Sequence, residues 1–190
     1  MEDYEYHFFY SYKRNDRTKL WHEEVKGTLE HYVRMELNIP KVNIFFDQDD
    51  IKSGDRWKSV IKDALKKSRC LVPFLSPDYF HSRWCYSEYR AFVERSASYK
   101  LDNMIVPVKY FDGESYQKEI EDINFVDFNK YNNPRPAFWN TTKAVDFDDE
   151  LQHFAKDIAA KIKAAPPYQS EFEPVLLEHG RPVKRIGRPV

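Results

Sequence analysis

At 190 residues the chain is long enough for one domain with an ordinary core and too short for two comfortable ones. Its 30 Lys and Arg stand against 31 Asp and Glu, so bulk charge gives no reason to expect DNA, RNA or an anionic membrane as partner, although a local basic patch stays open. Two cysteines, Cys70 and Cys85, are too few for a disulfide framework or a zinc site. No apolar stretch approaches the roughly 20 residues of a membrane span. The start MEDYEYHFF lacks the basic and apolar segments of a secretory signal, and the expected location is cytoplasmic.

Taken in chain order, Tyr4–Tyr10 alternates loosely with apolar and aromatic residues and then meets SYKRND, which predicts a first strand and a loop. Trp21, Val25, Leu29, Tyr32 and Val33 recur at spacings of three and four, one apolar face of a helix that stops near Asn38 and Pro40. Val42–Phe46 is apolar throughout and predicts a second strand, followed by the polar, exposed loop Asp47–Asp55. Trp57, Val60, Ile61, Ala64 and Leu65 again share a helical face, with Lys58, Lys62 and Lys66 opposite.

Cys70–Leu75 predicts a central third strand in which Pro73 breaks the pairing locally. SPDYFHS is expected to turn. Ser82 suits the N-cap of a helix from Arg83 on which Trp84, Glu88, Phe92 and Arg95 or Ser96 share a face. Met104–Tyr110 is a fourth strand, Asp112–Gly113 a turn, and Ile120–Phe128 a short fifth element of undecided type. Tyr131–Thr142 is expected to be loop. Phe147, Leu151, Phe154, Ala155, Ile158, Ala159 and Ile162 then mark a closing helix capped by Asp146 or Asp148. The expected organisation is one domain over residues 1–165 and, from Pro166 to Val190, a tail or linker that leads toward a further domain.

Strand, crossover helix and parallel strand make an open α/β sheet, whose ligands bind beyond the carboxyl ends of the strands. The residues to inspect are therefore Asp47–Asp55 and Ser76–Glu88. Only five glycines are present, none in a dinucleotide fingerprint or a phosphate loop, so those modes of nucleotide binding are not supported. A phosphoacceptor receiver would need acids at the end of the first strand and an aspartate ending the third, where this chain has Ser11–Tyr12 and Ser76–Pro77. The six histidines show no metal-ligand spacing on one helix, and no metal is expected.

Trp84 lies four residues before Glu88, which sets an aromatic plane one helical turn from a carboxylate. Such a pair can stack a heteroaromatic ring beside a fixed negative charge. It can equally be a core tryptophan followed by a glutamate that starts a helix.

The runs FFYSYKRND, FFDQDDIKSGDRW, LSPDYFHSRWCYSE and FVDF follow one another in this order over residues 4 to 164. Together they resemble the Toll/interleukin-1 receptor (TIR) domain family, in its NAD-cleaving type. The resemblance implies a flavodoxin-like three-layer α/β fold, with a five-stranded parallel sheet of order 2-1-3-4-5 and helices on both faces. It also implies that Glu88 matches the catalytic glutamate. Tyr12, Lys13 and Arg14 match pocket-lining residues, Trp57 the aromatic after the mobile loop, Trp84 the aromatic before the glutamate, and Asp47 the aspartate ending the second strand. NAD is then substrate, and no cofactor is required.

Each of these positions has a structural rival: Trp57 as core, Lys13 and Arg14 as a solvated turn, Asp47 as a loop cap. Two functions follow from the resemblance. One is an NAD glycohydrolase that releases nicotinamide and ADP-ribose, or a cyclic isomer of it, in defence or stress signalling. The other is a non-catalytic adaptor acting by TIR–TIR self-association through the Asp47–Asp55 loop. The two are compatible, because TIR enzymes often assemble through that loop.

Overall fold

The strand β1 (Tyr6–Tyr12) carries bulky residues on both faces, so it is stable only where both faces are covered. In the computed structural model, which describes residues 3–46, 57–100, 104–111 and 124–176, β1 is flanked on both sides by parallel neighbours. On one side β2 (Ile44–Phe46) pairs Phe9 with Phe45; on the other β3 (Ser68–Leu75) runs in register from Tyr6 opposite Ser68 to Tyr12 opposite Phe74. Beyond β3 lie the two-residue strands β4 (Val108–Lys109) and β5 (Val126–Asp127). Among the described residues the sheet is five-stranded and wholly parallel, in the order β2-β1-β3-β4-β5, as the resemblance implied.

Period-two alternation in β1 distributes its side chains between two cores. Phe8, Tyr10 and Tyr12 enter one, closed by α1 (Lys19–Leu37) through Trp21, Val25, Leu29 and Val33 and by α5 (Thr142–Ala164) through Phe147, Leu151, Phe154 and Ile158. Phe9 enters the other, closed by α2 (Trp57–Lys67), the short α3 (Pro77–His81) and α4 (Arg83–Ser98) through Ile61, Leu65, Tyr79, Tyr89 and Phe92. Each fully buried Phe or Leu contributes on the order of 1.5–3 kcal/mol, so the aromatic-rich centre supplies much of the driving force. Among the described residues no helix is long and apolar enough to cross a membrane.

Several boundaries differ from those read in the sequence. β1 extends to Tyr12 because β3 continues to pair it as far as Phe74. The fifth element is a strand, and SPDYFHS holds a helical turn: the Ser76 hydroxyl caps it by accepting the Tyr79 amide at 3.1 Å, and Pro77 opens it with a φ suited to a helix. Part of the expected loop after Tyr131 is a 3-10 helix at Pro136–Asn140. α5 begins at Thr142, ahead of the expected caps, and Asp148 instead accepts the Tyr32 hydroxyl at 2.6 Å. The Ser82 cap of α4 stands where the sequence put it. So does the interruption at Pro73: pairing with β1 is continuous, whereas on the β4 side the isolated Leu71–Ile105 bridge and the Phe74–Val108 pair leave a gap around the proline, which has no amide proton to donate.

The expectation that the chain from Pro166 onward is tail or linker is corrected for residues 166–176, which pack against the domain. Arg95, on the sheet-facing side of α4, is fully buried, and among the described residues no carboxylate pairs with it. It donates to the Ser68 carbonyl at 2.9 Å, to the Tyr4 hydroxyl at 2.5 Å and to Gln169 Oε1 at 2.8 and 3.1 Å. The Phe172 ring lies 5.3 Å from the guanidinium, Leu176 is buried in the second core, and Glu173 pairs with Lys66 at 2.7 Å. A guanidinium stays charged when buried, so it must be supplied with acceptors, and the sequence after the closing helix supplies one of them. Asp112–Gly113 and residues 177–190 lie outside the described residues.

Two predictions follow from this packing. Truncation after Ala165 removes the Gln169 acceptor and the Phe172 cover; the loss, about 2–4 kcal/mol, should lower Tm by roughly 5–15 °C in a thermal melt. The second concerns His22, buried against Tyr10, whose hydroxyl meets Nδ1 at 2.9 Å. Burial takes its pKa down to about 3. The unfolded chain binds that proton near pH 6.5 and the folded chain does not, so this contribution is complete above pH 6.5 and shrinks as pH falls toward 3, with a limiting slope of about 1.4 kcal/mol per pH unit. Urea melts from pH 7 to 5 should show that loss, and His22→Gln should flatten it.

Candidate functional site

α4 runs along the sheet with its first turns at the carboxyl end of β1, where Cys85 meets Tyr12, and its last turns at the amino end of β3, where Arg95 meets Ser68; its sheet-facing stripe reads Cys85, Glu88 and Tyr89, Phe92, Arg95 and Ser96. A glutamate in that stripe cannot reach bulk water easily, and an ionised carboxylate out of water has to be hydrogen-bonded. Glu88 is 8% exposed, and Ser11, near the end of β1, donates to its Oε2 at 2.5 Å. Ser11 is there because alternation turns it to the face opposite Tyr10 and Tyr12. Its hydroxyl lies 2.7 Å from the Tyr79 phenol oxygen, which comes from the buried side of α3. Burial raises the Tyr79 pKa well above the ordinary phenol value, and Cys85 and Glu88 add to the shift, while the Ser11 hydrogen bond opposes it. The Cys85 thiol donates to the Tyr12 carbonyl at 3.5 Å and so ties the first turn of α4 to the end of β1.

One turn before Glu88, Trp84 is half-buried and meets Trp57, the first residue of α2, edge to face with ring centroids 4.3 Å apart and planes at 80°. Lys58 Nζ and the Arg83 guanidinium lie 5.8 and 5.5 Å from the Trp84 ring, within cation–π reach. Trp57 is 38% exposed and belongs to neither core. Of its two readings, core is therefore the one the packing disfavours. The arrangement places a buried anion, two aromatic rings and two cations at the strand ends where ligands of open parallel sheets bind.

The structure brings Trp57 against Trp84, one helical turn before Glu88. It separates Tyr12, whose ring points into the other core, stacked on Phe46 at 5.3 Å and against His22 at 4.1 Å, so that only its backbone carbonyl faces α4. Lys13 and Arg14 are exposed in the loop that leaves β1. Asp47, and with it the Asp47–Asp55 loop, lies outside the described residues. Ser11 and Tyr79 were not among the residues singled out from the sequence. The available signal was a serine in an otherwise aromatic strand, a polar side chain that burial forces to find a partner.

A second depression, bordered by Glu5, Lys26, Glu30, Lys41 and Asn43, lies at the opposite ends of β1 and β2. It is a mixed-charge surface with none of the buried polar side chains found among the described residues, whereas the Glu88 end carries the carboxylate and its hydrogen-bonded partners.

The TIR domain family model matches residues 8–141. Over 78 residues, 41% of this chain, the sequence is 31% identical to the disease resistance protein RML1B of Arabidopsis thaliana, and the match spans 8% of that protein's length. Among solved structures, the chain is similar to the TIR domain of the Toll-related receptor TRR-2 from Hydra magnipapillata, at 18% identity over 77% of this chain and 98% of that one, with a TM-score of 0.44. It is also similar to the TIR domains of the activated Roq1 resistosome directly recognizing the pathogen effector XopQ, at 22% identity over 82% and 84% of the two chains, with a TM-score of 0.42. The family match runs from the middle of β1 to the residue before α5, well over half of the sequence, and the chain belongs to the TIR domain family.

Proposed function

We propose that this TIR domain is an NAD glycohydrolase with Glu88 as its catalytic residue. The observation that carries the proposal is a carboxylate buried at the carboxyl ends of parallel strands, hydrogen-bonded to Ser11 and one turn from an aromatic pair. Nicotinamide in NAD is a cationic leaving group that departs neutral, so breaking its bond to ribose needs no general acid, unlike ordinary glycoside hydrolysis with its two carboxyl groups. Positive charge then develops on the ribose, and a pre-positioned anion in a water-poor site stabilises it. Water adds its oxygen to the ribose carbon and releases a proton, giving ADP-ribose. Capture by the adenine of the same molecule would give a cyclic isomer instead.

In this reading Trp57 and Trp84 stack a ring of the substrate, and Lys13 and Arg14 donate to the pyrophosphate from the loop after β1, with Asp47 proposed as a further substrate-binding residue. The disease resistance name of the Arabidopsis relative supports a defence setting. Self-association supports catalysis if neighbouring copies complete the pocket through the Asp47–Asp55 loop. A second reading has one observation in its favour: the exposed Trp57 ring, packed on a Trp84 ring that Lys58 approaches, suits a protein contact, as a purely adaptor domain would require.

Protein at high concentration or crowded into assemblies should release nicotinamide from NAD, with ADP-ribose or its cyclic isomer identified by mass. Glu88→Gln should lower the rate by about 100- to 1,000-fold with an unchanged circular dichroism spectrum. Turnover by the variant at the native rate removes Glu88 from catalysis, and absence of turnover by the native protein even when crowded leaves the adaptor reading. For Trp57, loss of stacking should raise KM about tenfold in Trp57→Ala, equivalent to about 1.4 kcal/mol, while stability changes by less than about 1 kcal/mol. A large fall in Tm with unaltered KM would instead make the ring structural.

A further inference from the structure

Glu88 is the last member of a chain of three buried groups, each on a different element. Ser11 Oγ is 2.5 Å from Glu88 Oε2 and 2.7 Å from Tyr79 Oη. A serine hydroxyl has one proton, and an ionised carboxylate can only accept, so that proton is directed at Oε2. The hydrogen in the Ser11–Tyr79 contact must then come from the phenol. Tyr79 is suited to supply it, because its burial keeps it protonated far above neutral pH. The order of donation is Tyr79 to Ser11 to Glu88.

We propose that Ser11 is a positioning residue that fixes the Glu88 carboxylate for reaction, and that Tyr79 acts through it by fixing the direction of the Ser11 hydroxyl. The proposal rests on the NAD-cleaving reading of Glu88. Hydrogen bonds to an ionised partner are shorter and stronger than neutral ones, and a donor that itself accepts a hydrogen bond is polarised further. The serine hydrogen bond restrains rotation of the carboxylate about its last side-chain bond. With it, one oxygen is committed to the protein, and the charge meets the ribose at a set distance and angle, which is where electrostatic catalysis gains over a mobile anion.

The location of the pair fits this role. Ser11 is held by β1, which is paired on both sides, and Tyr79 by a helical turn capped by Ser76. The reference against which Glu88 is aligned is therefore the sheet itself. Cys85 and Tyr89 on α4 also lie near this chain, as does the Tyr12 carbonyl on β1, which accepts the Cys85 thiol. Arg83 and Lys58 flank Trp84 one turn away.

The test uses the full chain as the native protein and as Ser11→Ala, Ser11→Thr, Tyr79→Phe and the Ser11→Ala/Tyr79→Phe double variant, each confirmed folded by thermal melting. Two readouts are taken: steady-state NAD cleavage and, in substrate-free protein, the titration of the Glu88 carboxyl carbon by NMR. Ser11→Ala should lower kcat by about 10- to 100-fold while KM changes by less than about threefold, because the lost interaction orients the reacting charge and does not hold substrate. Ser11→Thr should recover most of the rate. Tyr79→Phe should lower kcat in the native background and have no further effect beside Ser11→Ala, as expected of a residue that acts only through the serine. The Glu88 titration and the acid limb of the kcat–pH profile should both move to higher pH in Ser11→Ala, since the hydrogen bond lost is one made to the ionised form.

A native protein that cleaves NAD, with Ser11→Ala at full kcat, with additive effects of the two substitutions or with an unmoved Glu88 titration, would overturn the positioning role and leave the glycohydrolase reading standing. A native protein that releases no nicotinamide when crowded would overturn the glycohydrolase reading and the positioning role with it, even if the NMR titration shifts as described.

Discussion

A carboxylate in the sheet-facing stripe of a helix governs how this molecule is put together at the carboxyl end of its first strand. The cost of withdrawing an unpaired anion from water is several kcal/mol, enough to consume much of the stability of an ordinary domain. Glu88 is tolerated because β1 presents a serine on the same face, and that serine is in turn supported by a buried tyrosine from the segment between β3 and α4. The contact requires β1, β3 and α4 to be docked at the same time. Forming the site and completing the second core are therefore the same event, and a stability change in that core would be felt at the carboxylate.

Seven residues further along the same stripe, Arg95 poses the reverse problem and is solved by different parts of the chain. Its guanidinium is met by the Ser68 carbonyl, the Tyr4 hydroxyl and the Gln169 side chain, with aromatic rings of Tyr4, Phe92 and Phe172 around it. One helix thus buries two charges of opposite sign, two turns apart, with Ser11 donating to one and the Ser68 carbonyl, Tyr4 and Gln169 accepting from the other. Replacing either charge by an apolar residue of similar volume would remove a desolvation cost, so neither is explained by stability alone. For Glu88 the chemistry proposed above supplies a reason. For Arg95 the structural consequence is that residues 166–176 are fastened to the helix that bears the carboxylate.

The aromatic pair at the margin of the second core completes the picture. A tryptophan with over a third of its surface exposed gives up burial energy that the same residue would gain in the interior. Trp57 keeps an edge-to-face contact with Trp84 while leaving part of its ring accessible, and Lys58 and Arg83 approach the Trp84 ring. A rigid apolar plane next to positive charge suits a ligand that combines a flat heterocycle with phosphates. The same combination would serve a protein partner, and only the nearby carboxylate distinguishes the two uses.

Hydrophobic periodicity is a local property, and what it encodes was legible without coordinates. The continuous apolar runs of the strands, the stripes at Trp21–Val33 and Phe147–Ile162, the break at Pro73, the Ser82 cap and the placement of Glu88 on one helical face with Phe92 all depend on neighbours within a few turns of chain. The order of the strands followed from resemblance over the whole domain. Tertiary structure alone decided which distant groups meet. Ser11 reaches Tyr79 and Glu88 across 68 and 77 residues of sequence, and Arg95 reaches Gln169 across 74. It also decided that β1 continues to Tyr12, because β3 goes on offering a partner, and that residues 166–176 pack, because a buried guanidinium needs acceptors that α4 itself does not provide. A buried polar side chain announces in the sequence that it must have a partner, but strand register and helix docking select that partner, and neither is written in any single stretch of residues.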